Sequence, residues 1–430
     1  MSSSSEESSS SDSQSDIETE NSDLLSQSSD EDQSQEDNLE LQGQILKNYN
    51  IICELGRGSF SIVWLAYDIS TANFIALKVQ NPSEYKDGLQ EAKFVQRLPK
   101  QPNIFNNILD HFTEIVNNKK YLCSTWNLHC SNIDSLIRKS NVNISYDNVK
   151  RIMKDLIEAV YILHSKFKVF HGDIKSDNIL VKGVNNRDKF IIDSYLQENF
   201  SEKYSNEKKQ FWLNKGKTIE TIDKMKKEDK LLIRKMVHQS IVTKILENLT
   251  LDNKSIDEKY SNDIKISLAD FGTFCDCSEG DYYDTPFGTR YYQAPEIILM
   301  GKCTYPVDIW ALGCTFYELL SGSLLFDPIK DSKGSRDYYH LTLINDTCGN
   351  FSQNFLKKTR YYQKHFDKNG KLNKYKEPAE NRLERKLRDL QFNLDANELA
   401  NVKRILTSML CIEPSKRATI HELYKDNFFK

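Results

Sequence analysis

A loop of eight residues, HGDIKSDN at positions 171–178, holds three side chains that phosphoryl transfer requires. A carboxylate, an ammonium and an amide fall at positions i, i+2 and i+5, on Asp173, Lys175 and Asn178. The carboxylate can orient an attacking hydroxyl, the ammonium can lie beside the moving phosphate, and the amide oxygen can bind Mg²⁺. Asp270, in the triplet DFG, supplies a further carboxylate for the metal. Each motif alone is common by chance, so the argument depends on their order and spacing.

A glycine-rich turn, LGRGSFSIV at positions 55–63, could bring the backbone close to phosphate oxygens. Glycine has no Cβ, so nothing keeps the peptide N–H groups away from a bound anion. Most such turns are only hairpin turns. This one gains weight because Lys78 follows on the next strand, where its ammonium can hold two phosphates, and because Glu91 on the following helix can pair with it. A lone lysine or glutamate is usually a solvated surface charge.

The residues around these motifs predict a small β-rich part followed by a large helical part. From Tyr49, β-branched and aromatic residues form three strand-like runs, broken at 56–58 and at 68–73. A helical pattern covers residues 85–98, and the stretch KYLCSTWNL reads as another strand. From Ser145 onward, apolar residues recur at three- and four-residue spacing, which indicates helices.

A polar, lysine-rich stretch at about 184–262 interrupts the helical part. It holds 16 basic and 13 acidic residues, so its charge does not mark it as a nucleic-acid-binding arm. Because it supplies none of the motif residues, we interpret it as an insertion that serves localisation or partner contacts rather than catalysis.

The charge of the chain is divided unevenly. Residues 1–46 hold 13 acids and no lysine or arginine, whereas the remainder is mildly basic. Fifteen of the first 37 residues are serine, so residues 1–43 should be a disordered tail that buries too little apolar surface to fold. Either the tail is merely solvated, or its serines, eight of which have an acid three residues on, are targets of an acid-directed kinase.

Several classes of protein are disfavoured by composition. No run of about 18 apolar residues occurs, and the first residues lack the basic and apolar regions of a signal peptide. The nine cysteines are scattered and form no CxxC pair, so we expect reduced thiols in an intracellular protein. Cys275 and Cys277 are only a weak metal signal.

In order and spacing, these motifs resemble the signature of eukaryotic-type protein kinases, together with GT at 288–289, APE at 294–296 and DIW at 308–310. The resemblance covers about residues 49–430. It implies an α+β, two-lobed protein-kinase fold, with a small β-rich N-lobe at 44–128 and a large helical C-lobe at 129–430 that carries the spacer insertion. ATP would bind between the lobes.

The resemblance also implies roles for individual residues. Asp173 would be the catalytic base, Lys175 would assist the transferred group, and Asn178 and Asp270 would bind Mg²⁺. Residues 125–129 would form the hinge that meets adenine, with Trp126 behind it. The ATP-binding set would be Leu55, Gly56, Gly58, Val63, Ala76, Lys78, Glu91 and Leu128. The supporting set would be a Glu296–Arg417 bridge and Asp308, which would hold the catalytic loop from a buried helix.

Four departures from the general pattern resemble the SR-protein kinases, which phosphorylate serine in Arg-Ser repeats. They are the GSFSIVW stretch, Gly172 in the catalytic loop, the spacer after Asn178 and a long segment at 366–372 before the last helices. That family lines a docking groove with acids. Here Tyr339 and Ser323 replace two of those acids, whereas Asp346 remains.

We therefore expect an ATP- and Mg²⁺-dependent Ser/Thr protein kinase. Thr289 favours serine and threonine over tyrosine, because its hydroxyl can meet Asp173 and Lys175. Arg/Ser-rich proteins are the candidate substrates, and a different preference stays open. The rivals are a pseudokinase scaffold and a small-molecule phosphotransferase. We expect an intracellular monomer, cytoplasmic and also nuclear, that binds neither nucleic acid nor membrane directly.

Regulation follows from Gly172. Kinases that need activation-loop phosphorylation read the phosphate with an arginine just before the catalytic aspartate. Gly172 offers no side chain there, so we expect an enzyme that is active as translated, unless Arg290 takes over that role.

Overall fold

The computed structural model describes residues 39–58, 60–139, 144–249, 263–277, 281–283, 285–329, 335–373, 381–388 and 390–430. The predicted tail lies almost wholly outside the described residues. The chain divides into two units, residues 1–41 and 42–430, and the elements below all belong to the second. No helix in the described ranges combines the length and apolarity needed to cross a membrane.

The N-terminal part is built on an antiparallel sheet of six strands in the order β1-β2-β3-β4-β6-β5. The strand-forming runs seen in the sequence account for β2 to β4, and the short turns between β2 and β3 and between β3 and β4 keep these strands adjacent. One helix, α1 (Tyr85–Val95), packs on the sheet and carries Glu91. The strands are β1 (Ile45–Leu46), β2 (Tyr49–Arg57), β3 (Ser61–Asp68), β4 (Asn73–Gln80), β5 (Ile108–Val116) and β6 (Lys119–Trp126).

The C-terminal part is mostly helical and is organised around one buried helix. Every residue from Val307 to Leu320 in that helix is buried, and a helix that is apolar all round belongs in a core. The helices are α2 (Ile133–Lys139), α3 (Tyr146–Ile162), α4 (Asn186–Gln197), α5 (Phe200–Asn214), α6 (Lys227–Glu247), α7 (Pro295–Ile298), α8 (Pro306–Ser321), α9 (Arg336–Cys348), α10 (Gln353–Leu356), α11 (Tyr362–His365), α12 (Arg382–Arg388), α13 (Ala396–Met409) and α14 (Ile420–Lys425). The expected division into a β-rich and a helical lobe is confirmed.

Short strands hold the loops that carry the chemistry. β9 (Ile179–Lys182) lies between β7 (His129–Asn132) and β10 (Ile266–Leu268), and it follows Asn178 directly. β8 (Val169–Phe170) pairs with β11 (Cys275–Asp276), and β12 (Asp281–Tyr282) pairs with β13 (Lys302–Cys303). The segments that contain Asp173 and Asp270 are therefore bracketed by backbone ladders.

The insertion packs on the N-terminal sheet, which the sequence interpretation did not include. Ile52, Cys53 and Leu65 of β2 and β3 form a second apolar core with α4, α5 and α6. The insertion residues of this core are Ile191, Trp212, Met225, Ile233, Val237, Ile241, Val242 and Ile245. Because α4 starts four residues after β9 ends and packs with α5 and α6 on β2 and β3, the insertion links the loop at 171–178 to the N-terminal sheet. Residues 250–262 of the insertion lie outside the described residues.

A polar network fixes α6 to the edge of this core. His238 is fully buried, and its Nε2 lies 2.8 Å from the carbonyl oxygen of Ile51. Its Nδ1 lies 3.3 Å from the hydroxyl of Tyr195, to which Asn50 donates at 2.9 Å. Burial lowers the pKa of His238 to about 4, so the ring is neutral at physiological pH.

Candidate active site

Lys78 and Glu91 form an ion pair at the inner edge of the sheet. Lys78 Nζ lies 3.0 Å from Glu91 Oε2, and the carboxylate is almost fully buried. Burial alone would lower the pKa of Lys78, but the charges of Glu91 and Asp270 outweigh it and raise that pKa. The lysine is therefore cationic, as phosphate binding requires.

The second oxygen of Glu91 is held by the DFG triplet. The backbone N–H of Phe271 donates to Glu91 Oε1 at 3.2 Å. Phe271 is buried, and Phe94 of α1 stacks on Phe274 with ring centroids 4.1 Å apart. These contacts therefore fix both the α1 side of the Lys78–Glu91 ion pair and the position of the triplet that contains Asp270.

Asp173 lies at the centre of a compact network that the predicted roles require. Lys175 Nζ is 2.9 Å from Asp173 Oδ2 and donates to Thr289 Oγ1 at 2.6 Å. The backbone N–H of Thr289 donates to Asp173 Oδ1 at 2.7 Å. Burial alone would raise the pKa of Asp173, but the charge and hydrogen bond of Lys175 and the hydrogen bonds of Thr289 hold it below the ordinary value. The carboxylate is therefore ionised and can accept a hydroxyl proton.

Asn178 and Asp270 provide oxygen atoms suited to a hard divalent cation. The Asn178 amide nitrogen donates to the carbonyl oxygen of Asp173 at 2.8 Å, which leaves the amide oxygen as the available ligand. Asp270 is exposed, and its backbone is left-handed, with φ 62°. A carboxylate and an amide oxygen at a phosphate site are the ligands that Mg²⁺ takes, so the two residues fit the expected metal.

Asp308 holds the catalytic loop as the sequence predicted. Its carboxylate accepts the backbone N–H groups of His171 at 2.8 Å and Gly172 at 2.9 Å, and His164 Nε2 lies 2.9 Å away. Burial alone would raise the pKa of Asp308, but these bonds and the adjacent histidines keep it low. The Glu296–Arg417 bridge is bidentate and fully buried, with distances of 2.7 and 2.9 Å.

The residues predicted to surround the nucleotide base lie on neighbouring strands, except Leu128, which lies in the loop between β6 and β7. Ala76 is opposite Trp126 in the β4–β6 register, and Leu55, Val63 and Leu128 are partly buried beside the same core. The indole N–H of Trp126 donates to Ser124 Oγ at 2.8 Å.

In the glycine turn, Gly58 N–H donates to the carbonyl oxygen of Ser61 at 2.9 Å. A Cβ at Gly56 would meet no atom within 4 Å, so this backbone faces open space where phosphates can approach.

Backbone packing explains why residue 172 is a glycine. Its φ is 84°, and a Cβ there would lie 2.9 Å from the carbonyl oxygen of Thr273. A Cβ on Gly288 would lie 2.5 Å from the carbonyl oxygen of Gly172. The two ends of the activation segment therefore meet the catalytic loop backbone to backbone.

An aromatic cluster completes this contact, and sequence reasoning did not find it. Phe287 lies 5.8 Å from Phe170 and 4.8 Å from Tyr283, measured between ring centroids. Arg290, the residue expected as an alternative phosphate reader, instead pairs with Asp337 of α9 at 2.5 Å. The activation segment is thus held by apolar packing, and its nearest arginine already has a carboxylate partner.

Comparison of the sequence with known proteins finds similarity to protein kinases. A family model described as "protein kinase domain" matches residues 49–210 and 234–429, and its break falls inside the insertion. Serine/threonine-protein kinase L205 of Acanthamoeba polyphaga mimivirus is 26% identical, with 89% of this chain and 87% of the relative covered. Serine/threonine-protein kinase SRPK of Physarum polycephalum is 27% identical, with 88% and 85% covered. Protein kinase dsk1 of Schizosaccharomyces pombe is 22% identical, with 86% and 78% covered.

Proposed function

This chain belongs to the protein kinase family, and on that premise we propose that it uses Mg²⁺ to phosphorylate serines that lie beside arginine in protein substrates. It is a protein serine/threonine kinase, as its relatives are, and ATP is its phosphoryl donor. The metal, the arginine preference and the cellular setting are the parts of this proposal that go beyond the family.

The network around Asp173 carries the mechanism. An acceptor hydroxyl beside Asp173 would be oriented by the ionised carboxylate and would lose its proton there as the phosphoryl group moves. Lys175, already bonded to both Asp173 and Thr289, can neutralise charge on the phosphoryl oxygens. Lys78 would hold the phosphates of ATP, because Glu91 keeps its ammonium in place.

The proposed metal rests on the two oxygen donors already described. Asn178 and Asp270 would hold Mg²⁺, which neutralises charge on the transferred phosphates when it is bound. The hydrogen bond that the Asn178 amide donates to the Asp173 carbonyl would orient Asn178 for this, and the DFG turn would orient Asp270.

The arginine preference is supported by charge beside the catalytic loop. Asp177 is exposed, one residue before Asn178. Partial burial, and to a smaller extent the nearby charge of Asp134, raise the pKa of Asp177, so a cationic partner would stabilise its ionised form. Arg138 pairs with Asp134, whereas Asp177 has no ion pair in the described part of the chain. A substrate guanidinium beside the acceptor serine would supply that partner.

The remaining parts of the proposal concern the setting. The kinase would act as a monomer on Arg/Ser-rich proteins inside the cell, in cytoplasm and nucleus, without direct contact to nucleic acid or membrane. Size-exclusion chromatography with light scattering and fractionation of cells that express the tagged chain would test these points. A stable dimer, or a membrane-bound pool, would refute them.

Asp177→Asn tests the arginine preference directly. The assay compares kcat/KM for a peptide with Arg beside the serine and for the same peptide with Gln there. We expect the wild-type enzyme to prefer the arginine peptide. In Asp177→Asn, the ratio of the two kcat/KM values should fall roughly tenfold, because a hydrogen bond to a charged group contributes about 1.5–3 kcal/mol. Asp147→Asn, on the exposed first turn of α3, is the matched control and should keep the preference. Equal preference in both variants would refute the role of Asp177.

Asp173→Ala tests the chemistry itself. Transfer to either peptide should fall by roughly a hundred- to ten-thousand-fold, because the general base is lost, while ATP binding measured by calorimetry stays intact. Wild-type transfer by this variant would show that Asp173 is not the base.

A further inference from the structure

A segment of the C-terminal lobe presents six positive charges on one short stretch of surface. Residues 351–373 contain Asp367 as their sole acid. All six basic side chains are exposed, and together they are termed the basic platform. The basic platform consists of Lys357, Lys358, Arg360, Lys364, Lys368 and Lys371.

The backbone beneath the basic platform is well fixed. Phe351 packs on Phe366 with ring centroids 4.9 Å apart, and Phe366 is bridged to Leu372. The lone acid, Asp367, is used locally, because its Oδ1 accepts the backbone N–H groups of Asn369 and Lys371 at 2.8 and 2.9 Å. The apolar side chains of the segment therefore point inward, and the lysines are left on the outside of an ordered turn.

The five lysines of the basic platform carry the charge that bears on binding. Across the described ranges, no carboxylate lies within ion-pairing distance of Lys357, Lys358, Lys364, Lys368 or Lys371. Glu413, an acid near Lys358, is already paired with Lys416 at 3.1 Å and accepts from Ser352. Like charges held close together on a fixed backbone repel one another, and an anionic partner relieves that repulsion.

The basic platform is connected to the acceptor site by direct contacts. The backbone N–H of Arg360 donates to the carbonyl oxygen of Leu299, one residue after α7 ends. Tyr338 of α9 donates to the carbonyl oxygen of Asn373 at 2.6 Å, and the adjacent Asp337 pairs with Arg290, next to Thr289. These contacts link the segment that carries the basic platform, through α7 and α9, to the residues beside Thr289.

We infer that the basic platform binds an acidic stretch of the protein substrate, at a distance from the phosphorylated serine. The inference rests on the proposed function and adds a second recognition element to it. Asp177 would select arginine beside the serine, and the basic platform would select glutamate- or aspartate-rich sequence farther along the chain. The occupant is a peptide because the substrates of this family are proteins, and the complementary charge is carboxylate.

The test uses two peptides with the same Arg-flanked serine. In one, a flexible linker leads to eight glutamates, and in the other it leads to eight glutamines. The measured quantity is the ratio of the two kcat/KM values at low and at physiological salt. The wild-type enzyme should favour the glutamate peptide by about tenfold at low salt, through KM, and salt should reduce this preference.

A matched pair of variants locates the effect. Lys357→Gln/Lys358→Gln/Lys364→Gln/Lys368→Gln should bring the ratio close to one. Lys217→Gln/Lys224→Gln/Lys226→Gln/Lys227→Gln removes the same charge from exposed positions of the insertion and should keep the wild-type ratio. Thermal unfolding of each variant verifies that the protein is folded. Equal loss in both variants would mean a general charge effect and would overturn the inference.

Other outcomes separate this inference from the proposed function. If the wild-type enzyme phosphorylates both peptides equally well, the basic platform does not dock acidic sequence, although the proposed function stands. If it phosphorylates neither, the arginine-directed function fails first. If a single-stranded RNA oligonucleotide binds the wild-type enzyme but not the basic-platform variant, while the peptide ratio is one, the surface binds nucleic acid and the inference is wrong.

Discussion

Truncation of Ile241 to alanine tests whether the insertion is part of the kinase core. Ile241 lies on α6 and is 1% exposed, in the apolar core shared with Ile52, Cys53 and Leu65. Removing its three outer carbons leaves a cavity between the insertion and the N-lobe sheet. If the insertion only served partners, it could be loosened without cost to the kinase. If it is a structural layer, the whole lobe should lose stability.

The expected magnitude follows from burial. Truncation of a buried isoleucine destabilises by about 2–5 kcal/mol. An unfolding entropy of roughly 2.1 cal/mol/K per residue gives about 0.8 kcal/mol/K for residues 42–430. The midpoint of thermal unfolding should therefore fall by about 2–6 °C. Leu232→Ala on the same helix is the control, because Leu232 is 47% exposed and its truncation should cost no more than about 0.5 kcal/mol.

Kinetics should report the same contact. Leu55 and Leu128, predicted to line the nucleotide site, also pack against the core that Ile241 completes. We expect Ile241→Ala to raise the KM for ATP, measured well below its unfolding temperature, and Leu232→Ala to leave it unchanged. Calorimetric unfolding and an ATP titration of both variants are the assays. If the two variants unfold at the same temperature and share one KM, the packing of the insertion on the sheet is refuted.

Three further predictions concern the active site and its supports. Lys78→Met should abolish transfer even at saturating ATP, because it removes the phosphate-binding ammonium and leaves Glu91 buried without its cation; an unchanged kcat with a raised KM would contradict this. Enzyme made in bacteria and stripped with phosphatase should keep its rate, because Gly172 cannot read a loop phosphate; a tenfold drop that autophosphorylation restores would overturn it. Burial lowers the pKa of His238 from 6.5 to about 4, so the unfolded chain takes up this proton first as pH falls, and stability should drop by up to about 1.4 kcal/mol per pH unit between 6.5 and 4. His238→Gln should make that decline shallower in denaturant titrations, and an unchanged slope would count against it.

The chemistry could be predicted because its residues are local in sequence. Asp173, Lys175 and Asn178 lie in one loop, so their spacing can be read directly from the sequence. Together with the glycine-rich turn, this spacing is typical of phosphoryl transfer. The roles assigned to the nucleotide- and metal-binding residues stay predictions, although the structure places Lys78 beside Glu91 and Thr289 beside Asp173. The hydrogen bond from the backbone N–H of Phe271 to Glu91 could not be predicted, because every residue except proline has a backbone N–H and the sequence does not show where it points.

The packing of the insertion was missed for a different reason. An amphipathic helix shows that it buries one face, but its sequence does not name the surface that covers that face. A signal existed in β2 and β3, where consecutive residues such as Trp64, Leu65 and Ala66 are all buried. A strand that is apolar on both faces must be covered on both sides. The stretch IVWLAY therefore already required a second layer on the sheet, and the insertion provides it.

The backbone contact between Gly172 and Gly288 also restricts how this kinase can change over evolutionary time. A single substitution of Gly172 by arginine would clash with Thr273 and force the side chain onto a left-handed backbone before it could meet any phosphate. Control by loop phosphorylation would then also require the backbone at Thr273 and at Gly288 to move away from the catalytic loop. An enzyme that needs no loop phosphorylation, as we expect here, has to be controlled elsewhere, for example through substrate access or cellular location.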